Sequence, residues 1–411
     1  MSSQAVEMHR TPAPAPRARR VPLWVYALGV LGFAVGAITF GYGVGAAPGP
    51  TWRATLINLL FWSGLAQGMV VWAAAFRVAR TTWSPAVNRM GHAALWFLPF
   101  PLAVLFLLLG GRGYFLTWLQ MDVGYRQAWL NVPFLWARDA GGMALVALLS
   151  WAFVASYLRV DRVEAGGRPP RGWRGDVQEA ARANRRLSVY GVLILYSYGI
   201  CYSIIGYDLV LSLVPNWVNT LFGFYFAVGG VYSAIAALVV MAVLLPRWLQ
   251  ARELVDRHVR RRLGNLLMAF AMFMTYLLYS QMIVIWYENL PNEISFVIPR
   301  LHQQPWQTVS YTLLFTLFLG VFALLVIREV KEIPVTLFAV ALLALASIWT
   351  ERYQLVVPSL TPRAPLAPGL VALIGVGFLG VLLITTAAFL ARYPAFSRLD
   401  LALRQEKEQW Q

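Results

Sequence analysis

Apolar positions along the chain fall into ten long runs separated by polar segments. The runs cover 22–44, 54–76, 91–110, 132–157, 187–213, 220–245, 265–288, 307–327, 334–350 and 368–391. A helix needs roughly 20 apolar residues to cross about 30 Å of hydrocarbon. The ninth run is the shortest and is expected to borrow residues from its flanks. The runs are apolar on every side, whereas a membrane β-barrel would alternate in segments of about ten residues. Lipid offers no partners to backbone N–H and C=O groups, so helices are the expected spanning element. The pattern predicts an all-α polytopic membrane protein.

Composition agrees with this reading. Hydrophobic residues make up 59% of the 411 and charged residues only 13%, too little polar surface for a soluble chain of this size. The net charge of +16 is unevenly placed, with 27 of the 34 Lys and Arg on one side of the predicted spans. Arg53, Arg112, Arg126, Arg300, Arg352 and Arg363 lie on the other. The positive-inside rule then puts both termini in the cytoplasm of a multi-pass protein. The charge is thus a topology signal, and because it is spread over six segments it does not mark a nucleic-acid surface.

Residues 1–21, rich in Ala-Pro and Arg, read as a disordered cytoplasmic tail, and 392–411 as a second cytoplasmic tail. The first span is longer than a signal-peptide core and reads as an uncleaved anchor. The loop 158–186 carries Gly166-Gly167 and Pro169-Pro170 and is expected to divide the chain. Trp83, Trp118, Trp217, Trp286 and Trp306 sit near span ends, where interfacial belts form.

The candidate chemistry is sparse. Cys201 is the one cysteine, which leaves no disulfide within the chain and no cysteine-ligated iron–sulfur cluster. Of four histidines, His9, His258 and His302 fall in tail or loops, and His92 starts the third span, so a haem held between two membrane histidines is not expected. No P-loop or dinucleotide-binding motif is evident. Electron chemistry is expected to come from partners or from a carrier in the bilayer, with no metal site in this chain.

Charges at membrane depth are costly and therefore mark candidate functional residues. Arg138 and Asp139 lie near the outer end of span four, and Asp208 near the outer end of span five. Glu288 ends span seven, and Glu351 and Arg352 end span nine, where they are expected at the outer face. Tyr190, Ser197 and Cys201 precede Asp208 by 18, 11 and 7 residues and share its helical face. Such a stripe could line a half-channel with Asp208 as the proton-exchanging carboxylate. The alternative is structural: Arg138 pairs with Asp139 or Asp208 and locks two helices together. Gln281 and Ser280, with Asn58, Ser63 and Gln67, read as helix–helix glue, and Gly223, Gly229 and Gly230 as sites of close packing.

Four segments in order carry a resemblance. They are Trp129 to Arg138 (WLNVPFLWAR), Asp208 to Trp217 (DLVLSLVPNW) followed by Thr220 to Gly223 (TLFG), Ser280 to Glu293 (SQMIVIWYENLPNE), and Glu351 to Ser359 (ERYQLVVPS). Together they resemble the F subunit of alternative complex III, a bacterial quinol:electron-acceptor oxidoreductase, within the polysulfide-reductase membrane-subunit (NrfD-like) family. The likeness covers roughly residues 50–365. The chain departs from the family pattern at Leu209, Val214, Asn216, Glu288 and Asn292.

The resemblance implies two four-helix bundles, spans 2–5 (54–213) and 6–9 (214–350), with span 1 (22–53) and span 10 (351–391 with its outer loop) at the periphery. It implies a bacterial inner membrane and, as partners, a homologous quinol-binding subunit, a periplasmic iron–sulfur subunit and c-type cytochromes. Haems and iron–sulfur clusters would belong to those partners, and quinone or quinol to the membrane. Asp208, Asp139, Arg138, Tyr190 and Ser197 are the proton-path candidates. Two other functions remain open: a quinone-binding anchor of a molybdopterin or polysulfide reductase, and a secondary transporter with broken helices around a midplane site.

Overall fold

The computed structural model describes residues 21–81, 83, 85–164, 173, 176–246, 255–394, 396, 397, 399 and 400. Among these residues there are helices and no strands, and ten helices are long and apolar enough to cross a membrane. They are α1 Leu23–Ala46, α2 Pro48–Val78, α3 Pro85–Tyr114, α4 Val132–Glu164, α5 Asp176–Leu209, α6 Phe222–Leu244, α7 Arg257–Glu288, α8 Trp306–Val326, α9 Pro334–Leu360 and α10 Pro368–Arg392. The chain is an all-α polytopic membrane protein. Residues 1–20, the Gly166-Gly167 and Pro169-Pro170 stretch, and 401–411 lie outside the described residues.

Two helices form the axis. α2 is enclosed along nearly its whole length and packs on α3, α5, α6, α9 and α10. Its crossing with α6 needs small residues: a Cβ on Gly68 would stand 2.8 Å from the Gly230 carbonyl oxygen. Trp72 fixes the same contact by donating from Nε1 to Val231 O at 2.9 Å. Around this axis, α5 packs on α4, α2 and α6, while α7 and α9 pack on α6. α1 lies at the edge, largely exposed, with its closest packing against α10. A Cβ on Gly36 would come within 2.4 Å of Gly377 Cα, so backbone meets backbone at that point.

Several expectations change. The ninth helix does not end at 350; it runs to Leu360, so Glu351 and Arg352 lie inside it and are buried. The eighth span is not a continuous α-helix, because Leu314–Gly320 forms a π-helical turn. The Phe318 carbonyl there accepts from Thr275 Oγ1 at 3.3 Å. The third span is also interrupted, by 3₁₀ turns at Ala94–Phe97 and Leu109–Tyr114. The loop 158–186 is shorter than its polarity suggests, since α4 continues to Glu164 and α5 begins at Asp176. The start of the C-terminal tail is docked: Ser397, Leu399 and Asp400 are buried against the arginine-rich end. Trp118, Trp217 and Trp306 are buried, Trp217 stacking on Phe296 with 3.5 Å between ring centroids, whereas Trp286 is exposed.

Between α7 and α8 a short helix, Pro291–His302, lies across the end opposite the arginines. Arg300 holds it to α9 by donating to Gln354 O at 3.1 Å, Leu355 O at 2.8 Å and Ser359 Oγ at 2.8 Å. Burial pushes its guanidinium down to about 9, which leaves it charged at neutral pH.

Candidate functional site

The site at the arginine-poor end begins with a helix cap. Asn131 accepts from the Phe134 N–H at 3.0 Å and Pro133 sits in the first turn, so α4 starts sharply. Arg138 and Asp139 then fall about two turns in, facing α5. Arg138 Nε donates to Asp208 Oδ2 at 2.7 Å, and Trp129 Nε1 donates to Oδ1 at 2.9 Å. The guanidinium lies over the Trp129 ring at 3.8 Å and the Phe134 ring at 4.4 Å. Asp208 is fully buried, and Ser212 Oγ closes its helix end by donating to the Asp208 backbone oxygen at 2.5 Å.

Asp139 is 1% exposed, and neither of its carboxyl oxygens meets a donor. Its carboxyl faces that of Asp208, with Cys201 beside it where Gly142 lets α5 approach. Two carboxyls can bond to each other only through a proton. One proton held between them would give Asp139 the partner it otherwise lacks.

A second buried ionic group lies across α6. α9 brings Glu351 and Arg352 into the core, with their charges 3.2 Å apart. Tyr225 donates to Glu351 Oε1 at 2.9 Å, and Arg352 donates to Phe226 O at 2.9 Å while lying over that ring at 4.0 Å. Gly229 makes room, since a Cβ there would stand 2.5 Å from Arg352 Nη2. Gly229 therefore serves this guanidinium, beyond general helix packing. Between the two groups stand Tyr198 and Tyr202, stacked at 4.5 Å, which donate to Ala227 O at 2.8 Å and Ser63 O at 3.2 Å.

The structure gathers some of the expected residues and not others. Arg138, Asp139 and Asp208 come together, with Cys201 adjacent. Tyr190 and Ser197 are half-buried on α5, and neither hydrogen-bonds to another described residue. On α4 the buried face carries Asp139, Ser150 and Tyr157, spaced by 11 and 7 residues, with Met143, Val146 and Phe153 buried between them. Glu288 is exposed at the end of α7. Glu351 and Arg352 are enclosed within the protein, where Tyr225 bonds the carboxyl, the Phe226 ring and carbonyl meet the guanidinium and Gly229 leaves it space. Gln281 is the expected glue, accepting from Asn219 Nδ2 at 2.9 Å.

A third polar cluster, absent from the sequence reading, occupies the arginine-rich end. Arg89 pairs with Asp161, and Asn88 and Tyr157 both donate to Asp400, each at 3.0 Å. Ser397 donates to Asp161 at 2.9 Å. His92, fully buried, sits beside Tyr157. The signal available beforehand was the α4 spacing, since Asp161 and Tyr157 continue the face of Asp139 and Ser150. No family model matches this chain and no curated protein matches it, so what stands at this point is a ten-helix integral membrane protein with three buried polar clusters.

Proposed function

We propose that the chain is an integral membrane subunit of a respiratory quinol-oxidising complex similar to alternative complex III. In this reading it supports assembly and takes part in proton movement coupled to quinol oxidation. The supporting observation is the meeting of Arg138 and Asp208 at 2.7 Å beside the donorless carboxyl of Asp139. Arg138 and Asp208 come from two of the four segments that carry the family resemblance, far apart in sequence. A buried carboxyl pair bridged by one proton, with an arginine to balance the remaining charge, is a chemical device for holding and releasing a proton at membrane depth.

The rest of the reading follows from the resemblance and the arginine distribution. The complex would sit in a bacterial inner membrane with both termini of this chain in the cytoplasm. Quinol would be oxidised near the outer face, and electrons would pass to iron–sulfur and c-type haem groups held by partner subunits. The residues of this chain would bind and pass the proton, with Asp139 and Asp208 sharing it and Arg138 fixing the position of Asp208.

The test is Asp208→Asn in the assembled complex. The variant keeps the Trp129 hydrogen bond and removes the charge. It is expected to lower proton translocation per electron while the complex still assembles. Equal loss of assembly and translocation would leave Asp208 a purely structural residue. Neighbouring reading frames for multihaem cytochromes and iron–sulfur proteins would further support the reading.

A further inference from the structure

Where α2, α3 and α4 meet at the arginine-rich end, six polar side-chain atoms are enclosed without a hydrogen-bond partner in the protein. They are Arg77 Nη1, Asn88 Oδ1, Nε and Nη1 of Arg89, and both ring nitrogens of His92. His92 has no exposed surface, and its ring lies 4.6 Å from that of Tyr157 and 5.7 Å from that of Phe153. Charged groups of the neighbouring elements pair around this corner: Arg77 of α2 with Asp400 of the docked segment after α10, and Arg89 of α3 with Asp161 of α4. Asn184 of α5 joins through its bond with Arg77. Two arginines balance two aspartates, so the ion pairs of the corner carry no net charge.

Buried polar groups of mixed donor and acceptor type are satisfied by ordered water, which offers both. Apolar packing would not have collected six such atoms in one corner. Along α4 from this corner, Phe153, Val146 and Met143 are buried besides Ser150 and Asp139. Asp139 and Tyr157 lie 18 residues apart, roughly 27 Å along a helix, which approaches the thickness of the hydrocarbon layer. Ser150, between them, accepts from Gln67 Nε2 at 2.8 Å.

We propose that this corner is a hydrated proton-exchange site in which His92 gains and loses the proton. The inference rests on the reading that the Asp139–Asp208 pair moves protons. In the exchange, a proton arriving from the arginine-rich side binds the unprotonated ring nitrogen of His92. The proton on the other nitrogen leaves to water held within the corner. The ring ends neutral with its tautomer exchanged.

The test uses full-length protein in lipid nanodiscs, labelled with ¹⁵N-histidine and observed by solid-state NMR. The chain has four histidines, and His92→Gln identifies the relevant signal. Should that variant fail to fold, removing His9, His258 and His302 in turn assigns it by elimination. The expected result is a His92 signal that shows both neutral tautomers and a ring N–H that exchanges with deuterated solvent within minutes. A single unchanging tautomer whose N–H stays protected for hours overturns the proposal. The Asp208→Asn variant separates the two readings. Exchange at His92 with unaltered proton translocation would remove the proposed function and keep the hydrated site. Protected His92 with translocation lost in Asp208→Asn would remove the hydrated site alone.

Discussion

Replacing Arg138 with methionine is the sharpest test of how the arginine-poor cluster is held. Methionine fills a similar volume and can keep contact with the Trp129 and Phe134 rings. What it removes is the charge 2.7 Å from Asp208 Oδ2. Asp208 is completely buried, so its carboxyl would be left with Trp129 and the proton shared with Asp139, and with no countercharge. Stranding one partner of a buried ion pair costs about 3–5 kcal/mol. Asp208→Asn is milder, at about 1–3 kcal/mol, because asparagine still accepts from Trp129 and Arg138 keeps its two rings. The double variant Arg138→Met/Asp208→Asn leaves no orphaned charge, so its cost falls below the sum of the singles by about 2 kcal/mol or more. Thermal unfolding of the full chain in nanodiscs, followed by tryptophan emission, measures all three. Strictly additive penalties would refute the pairing as an energetic unit.

Two further predictions rest on other contacts. Gly36→Leu is expected to force α1 off α10, because no side chain fits where the Gly36 and Gly377 backbones touch; disulfide cross-linking of cysteines placed on the two helices in a Cys201→Ser background should fall severalfold, and unchanged cross-linking would contradict the contact. Arg300→Met should strip the arginine donor from the Gln354 carbonyl, while Leu355 O keeps Ser359 Oγ, and cost about 1–3 kcal/mol for the one stranded group. Hydrogen exchange across 291–302 should accelerate in that variant, and exchange at the wild-type rate would show that the short helix is held elsewhere.

The ten spans were legible because lipid imposes one rule on all of them, and residues such as Asn131 and Pro133 mark a helix start locally. The Arg138–Asp208 pair was legible as one of two possible pairings, since both charges lie at similar depth. Helix α9 was cut short in the sequence reading because charge at 351 and 352 interrupts the apolar run. The helix continues there only because α6 supplies Tyr225, Phe226 and the gap at Gly229, which no local pattern reveals. Arg89 and His92 read as loop and span edge for the same reason. Their partners lie far away in sequence: Asp161 is 72 residues from Arg89, and the Asp400 that meets Asn88 is 312 residues from it. The stripe through Tyr190 and Ser197 followed helical periodicity on α5, but packing against α2 and α6 buries a neighbouring face instead, the one bearing Ile194, Tyr198 and Ile205.

The central claim is that Asp139 and Asp208 hold one proton between them at membrane depth. Infrared spectroscopy of the full chain in lipid, comparing wild type with Asp139→Asn at neutral pH, addresses it directly. A protonated-carboxyl stretch that shifts in deuterated water and vanishes in Asp139→Asn is the predicted result. Identical carboxyl bands in the two proteins would contradict it.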